Sequence, residues 1–480
     1  MRSSGPFSLI LLAALAGSTV AHEPTAQGPG VDIDLNNTEK VHGCWEGTNG
    51  ELEGGVFYLP MDEDARAVIE AVEIANRGVP DNRVDFVIVG DGYTASEQAQ
   101  FHTDATAIAN NFFRYEPFIS YEPYFRITQI EVVSLESGVD NDPNQGVSRN
   151  TALDMAYWCG GTERLLCVNV SKAYTAAASA PDIDQVIAIA NSSKYGGAGY
   201  PSSNLGTAAG QNSAAVEIAI HEMGHSLGDL ADEYTYGGPT NYSGNEPSDA
   251  NVSIYDRDEQ LDQQRKWWQW MDASVSGFDG PVNTYEGGNY SASGIYRASN
   301  NSMMRSLSRP FNLPSAERLI RQIYLEVDPI DDGTPNGSVL ERDAMAWVQP
   351  MQPIGHDLSV TWYLNDQIIL SAIGQTQLDL STLMLLDGEN TIRVDVVDPT
   401  PWVRNEMIRS NFMSESRTFT VDACAPAADL TGDGEVDFFD VSAFLTAFNS
   451  QAPTADLDGD GQYTFFDVSS FLVLFSAGGC

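Results

Sequence analysis

His221-Glu222-Met223-Gly224-His225-Ser226-Leu227-Gly228-Asp229-Leu230-Ala231-Asp232-Glu233 decides how this chain is read. The pattern is HExxHxxG, with an acidic pair four and five residues past the second glycine. On a helix, residues four apart share a face, so His221 and His225 can aim two imidazoles at one metal ion. Glu222 sits beside them, placed to reach water at the metal rather than the metal itself. A catalytic zinc takes three protein ligands and leaves one position open. Of the six histidines only His356 follows His225, and it falls in a later region patterned as strands, so a carboxylate is expected as third ligand. Gly228 lets the chain leave the helix and swing back toward the metal. That makes Asp232 the expected third ligand, with Glu233 as its substitute. A glutamate on a separate downstream helix is the other alternative. Glu222 is then the expected general base, taking a proton from water and passing it to a leaving amine. The implied chemistry is zinc-dependent hydrolysis of a peptide bond.

The rest of the chain bounds that reading. Its 480 residues suffice for roughly three domains, and a hydrophobic fraction of 42% fits folded domains. Lys plus Arg total 24 against 67 Asp plus Glu, a net charge of −43. Such a surface repels nucleic acid and anionic lipid and excludes both as expected partners. Residues 1–21 read as a secretory signal: Arg2 gives a positive start, Phe7 to Ala16 an apolar run too short to span a bilayer, and Thr19-Val20-Ala21 small residues before a cut. The expected location is secreted, extracellular or cell-surface associated. Export permits disulfides. Of five cysteines, Cys159 is paired with Cys167 across a Gly160-Gly161 turn and Cys424 with Cys480, leaving Cys44 over. No inhibitory propeptide is obvious. The leader with Cys44 is the one candidate, through a thiolate that would have to be positioned at the metal.

Along the chain, residues 22–75 read as a loose leader and a small β segment at Val41 to Leu59, with a helix over Asp62 to Asn76. Residues 76–330 read as the catalytic domain. Val84 to Val89 is a buried strand ending in Gly90-Asp91-Gly92, and Thr94-Ala95-Ser96-Glu97 is a capping box opening a helix through Phe101 and Phe112. Further strands are expected at Ile127 to Val133, Leu165 to Val170 and Val186 to Ala190. A flexible rim follows at Tyr195 to Tyr200, and then the metal helix. The predicted class is α/β, with the metal helix beneath the sheet. Gly237 to Ser299 is loop-rich and frames a cleft, in which Lys266-Trp267-Trp268-Gln269-Trp270 is either core or substrate contact. Pro314-Ser315 caps a helix reaching Tyr324. Asp328 to Asn336 reads as a linker, and residues 337–423 alternate as an immunoglobulin-like β-sandwich, a spacer or binding module.

Residues 427–480 repeat themselves. Asp429-Leu-Thr-Gly-Asp-Gly-Glu-Val-Asp-Phe-Phe-Asp440 and Asp456-Leu-Asp-Gly-Asp-Gly-Gln-Tyr-Thr-Phe-Phe-Asp467 follow an EF-hand-like ligand spacing. The expected calcium ligands are Asp429, Thr431, Asp433, Glu435, Asp437 and Asp440 in the first loop. In the second they are Asp456, Asp458, Asp460, Gln462, Thr464 and Asp467. Asp stands where the twelfth position usually carries Glu.

Several stretches together resemble the bacterial IgA-cleaving zinc metallopeptidase family, of metzincin type. They are Val84 to Tyr93, Arg164-Leu-Leu-Cys167, Tyr195-Gly-Gly-Ala-Gly199, His221 to Tyr234 and Asn301-Ser-Met-Met-Arg305. The resemblance runs over roughly Asn82 to Tyr324. It implies a metzincin-like catalytic domain, with Met304 forming a methionine turn beneath the zinc. The metzincin third ligand stands three residues after the glycine, where this chain has Ala231. The C-terminal repeats are similar to type I dockerins, which implies two calcium ions and a cohesin-like scaffold partner. The combined expectation is a secreted zinc endopeptidase acting on protein or peptide substrates and docked by a calcium module. The rival is a calcium-dependent attachment protein whose peptidase domain is inactive or secondary. Nothing in the sequence singles out immunoglobulin A as substrate.

Overall fold

The computed structural model describes residues 38–46, 52–60, 70–75, 82–235, 240–386, 388–422 and 428–477. The signal segment at 1–21 and the expected Cys424–Cys480 pair lie outside the described residues. Strands β1 (Thr38–Glu46), β2 (Leu52–Pro60), β3 (Glu70–Ala75), β4 (Val84–Asp91), β5 (Phe125–Glu131), β6 (Gln185–Ala190), β7 (Gly197–Tyr200) and β8 (Leu205–Ala209) form one sheet. Its order is β2-β1-β7-β8-β6-β4-β5-β3. The centre, β5-β4-β6-β8, is parallel. β7, β1, β2 and β3 pair antiparallel toward the two edges.

Every residue of β4 and β6 is buried, because both faces of the sheet are covered. Phe86 and Ile88 point to one cluster, with Phe101, Ile108 and Phe112 of α1 (Gln98–Phe112) and Ile218 and Met223 of α4 (Ala215–Ser226). Between these helices come α2 (Phe118–Tyr121) and α3 (Val170–Ala177). Val87 and Val89, one residue out of phase, meet Leu165 and the alanines of α3 on the other face. The two-residue period of a strand divides one apolar run between two cores.

Several expectations are corrected. Glu70–Ala75, inside the expected helix, is β3, because pairing with β5 along a whole edge outweighs local helix propensity. With β1 and β2 it is hydrogen-bonded into the catalytic sheet rather than preceding that domain. Leu165 to Val170 is not a strand. Leu165 and Cys167 make isolated bridges only, and Asn169 caps α3 by accepting from the Lys172 N–H. The rim at Tyr195 to Tyr200 contains β7. Glu97 does not close a capping box. Its carboxylate accepts both the Thr94 N–H and hydroxyl, but its own N–H goes to the Thr94 carbonyl and not to the hydroxyl, and the helix begins at Gln98. A disulfide joins Cys159 and Cys167.

After α4, the chain forms β9 (Val252–Ser253), α5 (Arg257–Gln263), and the hairpin β10 (Tyr285–Gly288) and β11 (Ser291–Arg297). Trp267 and Trp270 are core, packed with Val282, Ala298 and Leu313. α6 (Leu313–Glu326) is capped by Asn312, whose side chain accepts from Ser315 N–H. The expected linker contains a strand, β12 (Ile330–Gly333). Within it Asp331 takes both guanidinium nitrogens of Arg83, at 2.6 and 3.1 Å.

Beyond lie β13 (Val339–Leu340), β14 (Met345–Pro350), β15 (Ser359–Leu364), β16 (Gln367–Ile368), β17 (Gln377–Asp379), β18 (Glu389–Val397), α7 (Glu406–Phe412) and β19 (Ser414–Asp422). They make a three-stranded sheet β12-β14-β17 and a five-stranded sheet β13-β19-β18-β15-β16. Their core is continuous with that of α6. Asp398 ties the two parts: its carboxylate accepts from Tyr121, Tyr324 and His356 at 2.7, 2.8 and 2.8 Å. The tail is a helix pair, α8 (Phe438–Asn449) and α9 (Phe465–Ala477), with Phe444 stacked on Phe471 at 4.2 Å. Among the described residues, no helix is long and apolar enough to cross a membrane.

Candidate metal centre

α4 lies against β7 and β8, and small residues allow it to come so close. A Cβ on Gly199 would stand 2.8 Å from Glu222 Oε2 and 3.1 Å from His225 Cβ, and one on Gly197 would meet Glu222 Oε1 at 3.2 Å. The glycines of the Tyr195–Tyr200 stretch therefore make a strand surface on which the helix can rest its acidic and imidazole side chains.

The imidazoles are oriented from behind. His221 Nδ1 lies 3.0 Å from the Met303 carbonyl and His225 Nδ1 lies 2.7 Å from that of Leu230. A carbonyl only accepts, so each ring carries its proton on Nδ1 and turns a bare Nε2 into the site. Asp232 arrives after a sharp exit from α4. The chain turns at Asp229 (φ 48°), whose N–H reaches the His225 carbonyl. The positive φ of this exit falls on Asp229 and not on Gly228. Gly228 is needed for space, since a Cβ would lie 2.6 Å from the Gly224 carbonyl oxygen. Asp232 Oδ1 then sits 3.2 Å from each of His221 Nε2 and His225 Nε2, which are themselves 3.2 Å apart. Burial pushes the Asp232 carboxyl up, but the two histidines facing it outweigh burial and hold the group well below the usual carboxylate range. It stays ionised.

Glu233 does not join this triangle. Its carboxylate accepts from Asn251 at 3.0 Å, Asn312 at 2.7 Å and Ser302 at 2.8 Å. Its backbone N–H meets the Met304 carbonyl at 2.7 Å. Desolvation raises its pKa despite those donors. Consecutive residues in an extended chain point opposite ways, so one acid faces the histidines and the next anchors the turn at Met304. Ala231, also turned away, is clamped by Asn251 through both backbone groups. Met304 is fully buried under α4. A Cβ on Gly224 would come within 2.4 Å of its sulfur.

Two neighbours of the triangle were missed in the sequence. Tyr290, at the strained tip between β10 and β11 (φ 63°), donates its hydroxyl to Asp232 Oδ2 at 2.5 Å. This leaves Oδ1 toward the histidines. His42 of β1 stacks on His225 with ring centroids 4.4 Å apart, its Nδ1 3.3 Å from the Tyr290 hydroxyl and 3.7 Å from Asp232 Oδ2. Burial, and after it the adjacent His225, lowers the His42 pKa to about 4. Neither residue stands in a motif; both arrive from distant segments. His221, Glu222, His225 and Asp232 are all fully buried.

Three donor atoms on a triangle of 3.2 Å edges suit zinc. Bonds of about 2.0–2.2 Å at tetrahedral angles put ligand atoms about 3.4 Å apart. Two neutral imidazoles and one carboxylate are a zinc donor set. In the C-terminal module Asp456, Asp458 and Asp460 come together closely enough to share an ion. Asp467 accepts N–H groups from Leu457 and Thr464, and Asp440 those from Thr431 and Asp437.

Residues 72–278 match the family model described as IgA Peptidase M64. The match supports membership of that peptidase family and, with it, a metallopeptidase. It includes the whole stretch from His221 to Glu233, whereas His42, Tyr290 and Met304 fall outside it. No curated protein matches the chain.

Proposed function

We propose that this protein is a secreted zinc endopeptidase, of metzincin-like build, that hydrolyses peptide bonds in extracellular proteins. One observation carries the reading: His221, His225 and Asp232 converge with 3.2 Å edges while Glu222 stands next to them on the same helix. Zinc held by these three residues supplies Lewis-acid polarisation of a carbonyl and acidifies water. Glu222 accepts the proton of the attacking water on its carboxylate and returns it to the leaving amine. His221 and His225 keep fixed tautomers through Met303 and Leu230. Tyr290 occupies Asp232 Oδ2 and leaves Oδ1 toward the histidines, and Met304 fills the space under Gly224 as a methionine turn.

The test is cleavage of a proteome-derived peptide library by zinc-loaded protein, wild type beside Glu222→Gln. The variant is expected to keep its zinc and lose at least about a hundredfold in rate. Equal cleavage by both would remove Glu222 from the mechanism. The absence of cleavage in either, with zinc bound, would overturn the peptidase reading.

The C-terminal module, in the same reading, is a dockerin-like pair of calcium loops. Asp429, Thr431, Asp433, Glu435, Asp437 and Asp440 serve one ion and Asp456, Asp458, Asp460, Gln462, Thr464 and Asp467 the other. The Asp456–Asp458–Asp460 cluster and the helix that starts inside each loop support it. Phe438, Phe439, Phe465 and Phe466 are exposed at matching places in the two repeats, which suits a cohesin-like scaffold partner. The β region between is an immunoglobulin-like spacer. Calcium titration followed by terbium luminescence tests the module: no saturable signal would sink it.

A further inference from the structure

A peptidase acting on proteins has to admit a polypeptide to its metal, yet the four residues of the centre have no solvent exposure. What stands against them comes from the N-terminus. β1 runs antiparallel along β7, pairing His42 with Gly199. Gly199 is also the residue that receives the Glu222 carboxylate and the His225 side chain. Without β1 and its partner β2, β7 is the edge of the catalytic sheet, and an unpaired edge recruits an extended chain through its backbone groups. We propose that the hairpin Thr38–Pro60 is an intramolecular occupant of the substrate groove. It holds the strand position on β7 and sets the His42 imidazole against the metal ligands, so the chain as synthesised is latent. The proposal rests on the peptidase reading.

Three features fit an occupant rather than a permanent wall. Toward the body, β1 makes a single ladder pair with β7, against nine with β2, and the hairpin is otherwise held by side chains, chiefly Val41 in the core, so its two strands form one unit. A cavity of about 350 Å³ lies between it and the body, bordered by Glu39 and Leu59 on one side and by Val168, Tyr200 and Ser203 on the other. Residues 61–69 join the hairpin to β3 in sequence, so a cut there frees the hairpin covalently and leaves β3 to β8 on one chain. The blocking side chain is an imidazole already beside two metal-facing histidines, two positions before the cysteine that the sequence offered for this task.

The test uses the full, zinc-loaded chain with a recognition site for a sequence-specific protease placed within residues 61–69. A fluorescent peptide hydroxamate reports access to the metal before and after the cut, and native mass spectrometry reports whether the hairpin has left. Hydroxamate binding is expected to tighten at least about tenfold on release, and a synthetic peptide of residues 38–60 is expected to reverse it. If the hairpin stays bound after the cut, Val41→Asp in the same chain removes its buried anchor and is expected to free it. Equal hydroxamate affinity with the hairpin on and off overturns the proposal and leaves the peptidase reading intact. Tightening without any peptide cleavage upholds the groove and its occupant while the peptidase reading fails.

Discussion

Asp232 and Glu233 show how far neighbouring residues of one type can diverge. Both are fully buried carboxylates. One faces two imidazoles, while the other is satisfied by two asparagines and a serine. Substitution should therefore separate them. Asp232→Asn is expected to abolish tight zinc binding with little loss of melting temperature in the metal-free protein. Glu233→Ala, which strands Asn251, Asn312 and Ser302 donors, is expected to cost about 2–3 kcal/mol of stability. Metal analysis and denaturant unfolding of the same samples read the two effects. Tyr290→Phe removes the donor to Asp232 Oδ2 and is expected to weaken zinc about 10- to 100-fold, measured by competition with a chromogenic chelator. An unchanged affinity would mean that Asp232 needs no partner to hold its rotamer.

At the scale of elements, the contact of α4 with β7 is the decisive one, and it depends on absent side chains. Gly199→Val would push Glu222 and His225 from their places. The expected result is about 1–3 kcal/mol of destabilisation and a loss of turnover larger than the loss of zinc, seen in paired kinetic and metal assays. The element pattern of the sheet centre was legible because β4 and β6 are apolar runs of strand length. The edges were not. β3 reads as a helix locally, and Leu165 to Val170 reads as a strand. What decides both is a partner: β5 offers β3 a ladder, while among the described residues 165–170 makes isolated bridges only.

For the whole molecule, the catalytic region and the β region behave as one packed body, because their apolar core is continuous and Asp398 accepts two hydrogen bonds across the boundary, from Tyr121 and Tyr324. Burial raises the Asp398 pKa, but the His356, Tyr121 and Tyr324 bonds prevail and the net shift is downward. A depressed carboxyl contributes stability that is present above its unfolded value of about 3.9 and is lost as pH falls through the lower folded value. Acid titration is thus expected to loosen this junction only below about pH 4, and Asp398→Ala, which removes the shared acceptor of the buried Tyr121 and Tyr324 hydroxyls, is expected to do so at neutral pH. Calorimetry would show the catalytic and β regions of the variant unfolding in two transitions where the wild type is expected to show one for the pair. Removing calcium is expected to lower the melting of α8 and α9 alone, because their core of Ala428, Phe444, Ala455 and Phe471 is separate from the others.

The sequence by itself determined the chemistry that sits within a few residues of itself. It marked the two histidines and the glutamate on one helix face, the acid that follows them, the apolar centre of the sheet and the repeated loops of the tail. Helical and strand periods and ligand spacing are local, so they can be read from order alone. Only the tertiary structure decided between Asp232 and Glu233 for the triangle. It also brought Tyr290 to Asp232 across 58 residues and laid His42 on His225 from the far end of the chain. Those contacts depend on which edges find partners and how closely backbones approach, and both are settled only when the whole sheet assembles.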